Sequence, residues 1–146
     1  MATLSIGTQN FSPLSEASAD PATVGWYFAM PPVGPVPSEG EAEYDLMPIH
    51  IPGVDGMGTK NMGFVGRDID AVVVYLAASE SAAETAKNTF LALLGPTLRV
   101  SVTVPGGTAR PSCKLKRGGA KTLGWFTMNS RHGLILQLNL RQLGLS

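Results

Sequence analysis

The last third of the chain repeats one instruction. Apolar residues alternate with polar ones in short runs, and turn residues separate the runs. Leu98, Val100, Val102 and Val104 fall on one face of an extended segment, because successive side chains of a strand point to opposite sides. Pro105-Gly106-Gly107 then turns the chain into Arg110–Arg117, with Cys113 and Leu115 inward and Lys114 and Lys116 outward. Gly118-Gly119 predicts another turn into Lys121–Met128, and Asn129–Gly133 a last one into Leu134–Leu140, where Leu134, Leu136, Leu138 and Leu140 share a face. Turn signals every 8–12 residues predict an antiparallel meander.

Upstream, Asp68–Ala77 carries the β-branched run Val72-Val73-Val74 and reads as a well-buried strand. Residues 80–94 read as a helix. Ser81 and Glu84 have capping-box spacing, Ala83, Ala86, Phe90 and Leu94 share a face, and Gly95-Pro96 supplies a cap and a breaker. Residues 1–58 differ in texture, holding eight of the eleven prolines. Strand candidates there are Thr3–Ile6, Val24–Met30 and Tyr44–Ile51, the last interrupted by Pro48. Met30–Ser38, with four prolines, should run extended across a surface, as an arm on a neighbouring subunit or as an ordinary loop. The expectation is a mainly β, α+β chain: an antiparallel β-sandwich or small barrel with a flanking helix and an extended N-terminal arm. Residues 1–58 would be the Pro/Gly-rich arm with edge strands, and 59–146 the core with helix 80–94.

Composition narrows the function. The chain is 44% hydrophobic and 15% charged, which is poor in charge for a domain that faces water on all sides. No window approaches the ~18 apolar residues of a membrane span, and Met1–Ser5 lacks the start of a signal peptide. One cysteine, Cys113, requires no oxidising compartment. Charge is divided along the chain. All eleven acids lie in residues 1–84 with two bases, while residues 85–146 hold nine bases and no acid. Three readings stay open: a basic surface for a polyanion, protomers complementary to their neighbours, or halves that cancel within one molecule.

Catalytic and cofactor chemistry finds little support. His50 and His132 have no partner at metal-ligand spacing, and Cys113 reads as a small buried hydrophobe. No Gly-x-Ser-x-Gly elbow occurs. Gly53–Gly66 is glycine-rich, but Gly58-Thr59-Lys60 is not the order of a phosphate loop and no helix follows it; it reads as a mobile loop that orders on assembly. Asp68 and Asp70 would share a strand face, more as a solvated edge than as an acid–base pair. No catalytic, cofactor-binding or metal-binding residue is therefore assigned, and no enzyme activity is expected. Lys114, Lys116, Arg117 and Lys121, followed by Trp125 and Phe126, have the composition of a single-strand nucleic-acid binder. Alternation puts the two rings on opposite faces, so they build no stacking platform.

The order of elements adds a resemblance. A Gly66-Arg67-Asp68-Ile69 strand start, a hydrophobic strand, a capped helix ending Leu93-Leu94-Gly95-Pro96 and a hairpin-rich β-region resemble the ring-forming tail and baseplate proteins of tailed bacteriophages, the distal-tail type above all. The resemblance covers residues 60–146 and rests on pattern; residues 1–58 match no family. It implies a structural virion protein, assembled in the host cytoplasm, that forms a homo-oligomeric ring and joins the tail tube to the tip among other tail or baseplate proteins, with no membrane partner. The alternatives are a capsid decoration or head–tail connector protein, and a nucleic-acid-binding β-domain.

Overall fold

The computed structural model describes residues 3–50, 57–94 and 99–144, with 45–50 and 57–63 described through their backbone pairing. In chain order the strands are β1 (Leu4–Ile6), β2 (Gln9–Pro13), β3 (Gly25–Phe28), β4 (Ser38–Glu39), β5 (Glu43–His50) and β6 (Met57–Ala77). Helix α1 (Glu80–Leu93) follows, then β7 (Val100–Thr103), β8 (Arg110–Met128) and β9 (Arg131–Gln142). Strand accounts for 55% of the protein, so the mainly β reading with one helix holds.

The sheet closes on itself. Its order is β3-β2-β1-β7-β8-β9-β6, and β6 pairs back with β3, from Gly25 opposite Leu76 to Phe28 opposite Val73. This is a closed seven-stranded barrel with extra strands, not a sandwich. Closure needs one pairing that no hairpin rule foresees, the parallel contact of β2 with β3. It also corrects the arm. Leu4, Ile6, Phe11 and Phe28 are buried in the same core as Ile69, Val73, Leu136, Leu138 and Leu140, so β1–β3 are staves of the barrel. Each such side chain, removed from water, contributes about 1.5–3 kcal/mol.

A second apolar layer explains why Val72-Val73-Val74 is apolar without alternation. Val73 faces the barrel core, while Val72, Val74 and Leu76 face outward and are covered by Leu14, Ala29 and neighbouring residues. A strand buried on both faces has no solvent side to make polar. The Met30–Ser38 segment is not extended throughout. It turns at residues 31–34, with Val33 N–H donating to the Met30 carbonyl at 2.9 Å, and Val33 packs on this outer layer. Arg131, 1% exposed, pins the covering loop by donating from Nη1 to the Thr23 carbonyl and from Nη2 to the Ser18 carbonyl.

Helix α1 begins where β6 ends. Its N-cap is Ser79, whose Oγ accepts from Ala82 N–H at 3.2 Å, so the expected box on Ser81 is displaced by two residues. Extended backbone at Ser79 (φ −146°, ψ 160°) aims its oxygen at the free amides of the first turn. Glu84 instead pairs with Lys87 at 2.9 Å. Phe90 enters the barrel core, its ring 5.5 Å from Phe11 and 5.1 Å from Trp26, and Ala83 packs with Ala77 and Leu134. Gly95-Pro96 and Leu98 lie outside the described residues.

One expected break is not a break. Gly118-Gly119 does not turn the chain, since β8 runs unbroken from Arg110 to Met128 against β9. Leu115 lies opposite Leu140 and Ala120 opposite Leu138, so Lys116–Gly119 bulge out against Asn139 alone. Gly118 takes φ +67°, and a Cβ on Gly119 would stand 2.5 Å from the Asn139 carbonyl oxygen. The true turn is Asn129-Ser130, both at positive φ (51° and 64°), joining Met128 to its partner Arg131 in the twist a two-residue hairpin needs.

Candidate assembly interface

Part of the Gly-rich segment is an unexpected strand. Residues 53–56 lie outside the described residues, but 57–66 are the first half of β6 and pair with β5 along its whole length, from His50 opposite Met57 to Glu43 opposite Gly66. Pro48 sits within β5 opposite Thr59, which an edge strand tolerates because its amide can face away from the ladder. From Arg67 onward β6 pairs with β9 and is a barrel stave. Before that, the two strands form a ribbon that pairs with no other described strand. At ~3.3 Å per residue, residues 57–66 reach about 30 Å.

A two-stranded ribbon is marginal by itself in water, and an edge that pairs with no described strand has N–H and C=O groups to offer another chain. Its root is held by charge. Arg141 on β9 donates from Nη1 to Asp68 Oδ1 and from Nη2 to Glu43 Oε2, both at 2.8 Å. Lys116 Nζ lies 3.6 Å from the same Asp68 oxygen. The Arg141 hydrogen bond, helped by the charge of Lys116, holds the Asp68 carboxyl below its usual range. Nearby, Arg110 grips Glu39 through Nε and Nη2 at 3.0 and 2.7 Å and lowers the Glu39 carboxyl in the same way. These contacts favour the third reading of the divided charge at these positions: basic residues of 85–146 meet acids of 1–84 within one molecule.

The other singled-out residues fall apart from one another. Asp70 is exposed, opposite Asn139 on β9 and Ser38 on β4. Cys113 is fully buried, donates to the Arg110 carbonyl at 3.2 Å, and burial pushes its thiol up to about 11. His132 is half-buried on β9 between Ala77 and Thr127; the side chain of His50 lies outside the described residues. Among the described residues no three His, Cys, Asp or Glu gather as a metal site, and no helix is long and apolar enough to cross a membrane. A groove of about 390 Å³ is lined by Trp26, Tyr75, Thr89 and Phe90, with no carboxylate among its lining residues.

Of the basic cluster, Lys114 is half-buried opposite Arg141, Lys116 is engaged by Asp68, and Arg117 and Lys121 stand exposed on β8. Trp125 is 39% exposed, whereas Phe126 packs on the outer apolar layer; no shared aromatic face results. Arg141 and Glu43, which organise the ribbon root, carry no mark in the sequence that separates them from other charged residues. Their roles come from the register of β5, β6 and β9. No protein-family model matches the chain, and no curated protein matches its sequence.

Proposed function

We propose that this is a structural virion protein of a bacteriophage tail or baseplate, which assembles with copies of itself into a ring and joins the tail tube to the tip. The β5–β6 ribbon carries the reading. A barrel with a filled core needs no such projection for its own stability, and a bare ribbon leaves two edges unpaired. A neighbour that supplies a strand or a groove satisfies those edges and makes the ribbon the natural joint between protomers. The low charge and the resemblance of residues 60–146 to distal-tail proteins point the same way.

The divided charge has a smaller part in this scheme than the sequence suggests. Glu39 and Glu43 are engaged within the protomer, so they are not free to meet a neighbour's lysines.

Negative-stain imaging of the purified protein, alone and mixed with tails lacking it, tests the proposal. Rings of uniform diameter that join such tails support it. A protein that stays monomeric and joins no tail defeats it. Arg117→Glu with Lys121→Glu separates the nucleic-acid alternative: that reading requires lost polyanion affinity with a shallower salt dependence, and assembly through the ribbon requires no change in ring formation.

A further inference from the structure

Asp68 and Asp70 share the face of β6 that points away from the buried Ile69, and only one of them is answered. Asp68 meets Arg141 and Lys116. The Asp70 carboxylate has no hydrogen bond or ion pair among the described residues. Lys121, opposite Gln137 on β8, leaves it unpaired as well.

Asp70 does not stand on open surface. Ser38 on β4 lies directly opposite it, and Gln137 on β9 lies diagonally, opposite Val72. The pleat therefore turns all three polar side chains to one face. With Pro35, Val36 and Val72 they line a pocket of about 70 Å³, and no cation is among its lining residues. Ser38 and Gln137, like Asp70, spend no side-chain hydrogen bond within the described residues. One carboxylate, a hydroxyl and a side-chain carbonyl, ringed by aliphatic walls, match a primary ammonium. Its three donors meet three oxygens, and its methylene stem lies along proline and valine. The space is several times the ~10–15 Å³ that one water needs, enough for the ammonium and the end of its stem.

This chain carries one such group where it can be delivered. Between Glu43 and Gly66 the ribbon has a single lysine or arginine, Lys60. Lys60 and Asp70 lie on the same strand, β6, and ten residues at ~3.3 Å each hold them about 30 Å apart. No lysine side chain spans that gap, so a protomer cannot close this contact on itself.

We propose that the pocket of Asp70, Ser38 and Gln137 receives the Lys60 ammonium from the ribbon of a second copy. The inference rests on the assembly reading above and supplies the surface on which the ribbon docks.

A carbodiimide activates carboxylates and joins them, without a spacer, to amines in direct contact. Applied to an assembled mixture of unlabelled and heavy-nitrogen-labelled chains, it should give a peptide pair linking Asp70 to Lys60 with one partner of each label. Sedimentation of variants supplies the energetics. Asp70→Asn and Lys60→Met should each weaken association at least about threefold. The double variant should lose no more than either alone, because both changes remove one contact. Asp70→Lys should weaken association further, and adding Lys60→Asp should recover it. Each variant should unfold at the parent's midpoint, since the contact lies outside the protomer. An Asp70→Asn protein that associates as tightly as its parent overturns the inference, as do single losses that simply add; rings would still form, and the assembly reading would stand. A parent that is monomeric at every concentration takes both down together.

Discussion

Arg110 and Glu39, 71 positions apart in the sequence, meet side-on through two hydrogen bonds of 3.0 and 2.7 Å, each about a quarter exposed. The pair ties the short strand β4 to the start of β8. The geometry is the bidentate kind that outperforms an ordinary surface ion pair.

Breaking it should cost about 1–2 kcal/mol of stability, in Glu39→Gln or Arg110→Ala, as read by urea unfolding. The pair also makes stability depend on pH. Arg110 lowers the folded-state Glu39 carboxyl, and Arg141 does the same for Asp68. The unfolded chain therefore takes up protons first as pH falls. The stabilisation is complete above the unfolded carboxylate range near pH 4 and is lost as pH drops through the lower folded values. Glu39→Gln should flatten the acid limb of the curve; an unchanged limb would show that the contact does not hold in solution.

The helix start separates two serines. Ser79→Ala should lower stability by about 0.5–2 kcal/mol, because Ala82 N–H loses its acceptor. Ser81→Ala, two residues further on, should change stability little, by about 0.5 kcal/mol or less, as read by thermal unfolding. Equal losses at both positions would contradict the observed cap.

Glycines on β8 divide in the same way. Gly119→Ala sets a methyl against the Asn139 carbonyl, a backbone atom that cannot step aside, whereas Gly124 has nothing within 4 Å of a built Cβ. Gly119→Ala should destabilise by more than about 2 kcal/mol. Gly124→Ala should be tolerated. Urea midpoints of the two variants decide it.

What could be read from the sequence was whatever local pattern determines. β9 with its four inward leucines, β7 from Val100, the buried centre of β6 and helix α1 all follow from periodicity, and the structure places them within a few residues of expectation. Pairing is what local pattern leaves open. Gly118-Gly119 has the same signature as a hairpin turn and as a bulge, and only the register against Asn139 chooses between them. The glycines and polar residues of 57–66 weaken a strand pattern, so the ribbon reads as a loop until β5 is laid beside it. Barrel in place of sandwich depends on β3 meeting β6, a contact between segments some fifty residues apart. The candidate interface was legible only as an excess of charge of each sign; that Arg141 chooses Glu43 and Asp68 follows from three strands lying side by side.

The ribbon bears the whole weight of the assembly account, and the mass of the particle in solution tests it most directly. Sedimentation velocity over a concentration series would compare the full chain with a variant in which residues 47–60 are replaced by a tight Asn-Gly turn, leaving the barrel strands intact. One discrete oligomer is expected for the full chain, and a monomer with an unchanged unfolding midpoint for the variant. A full chain that sediments as a monomer at every concentration, or a variant that assembles as well as its parent, would contradict it.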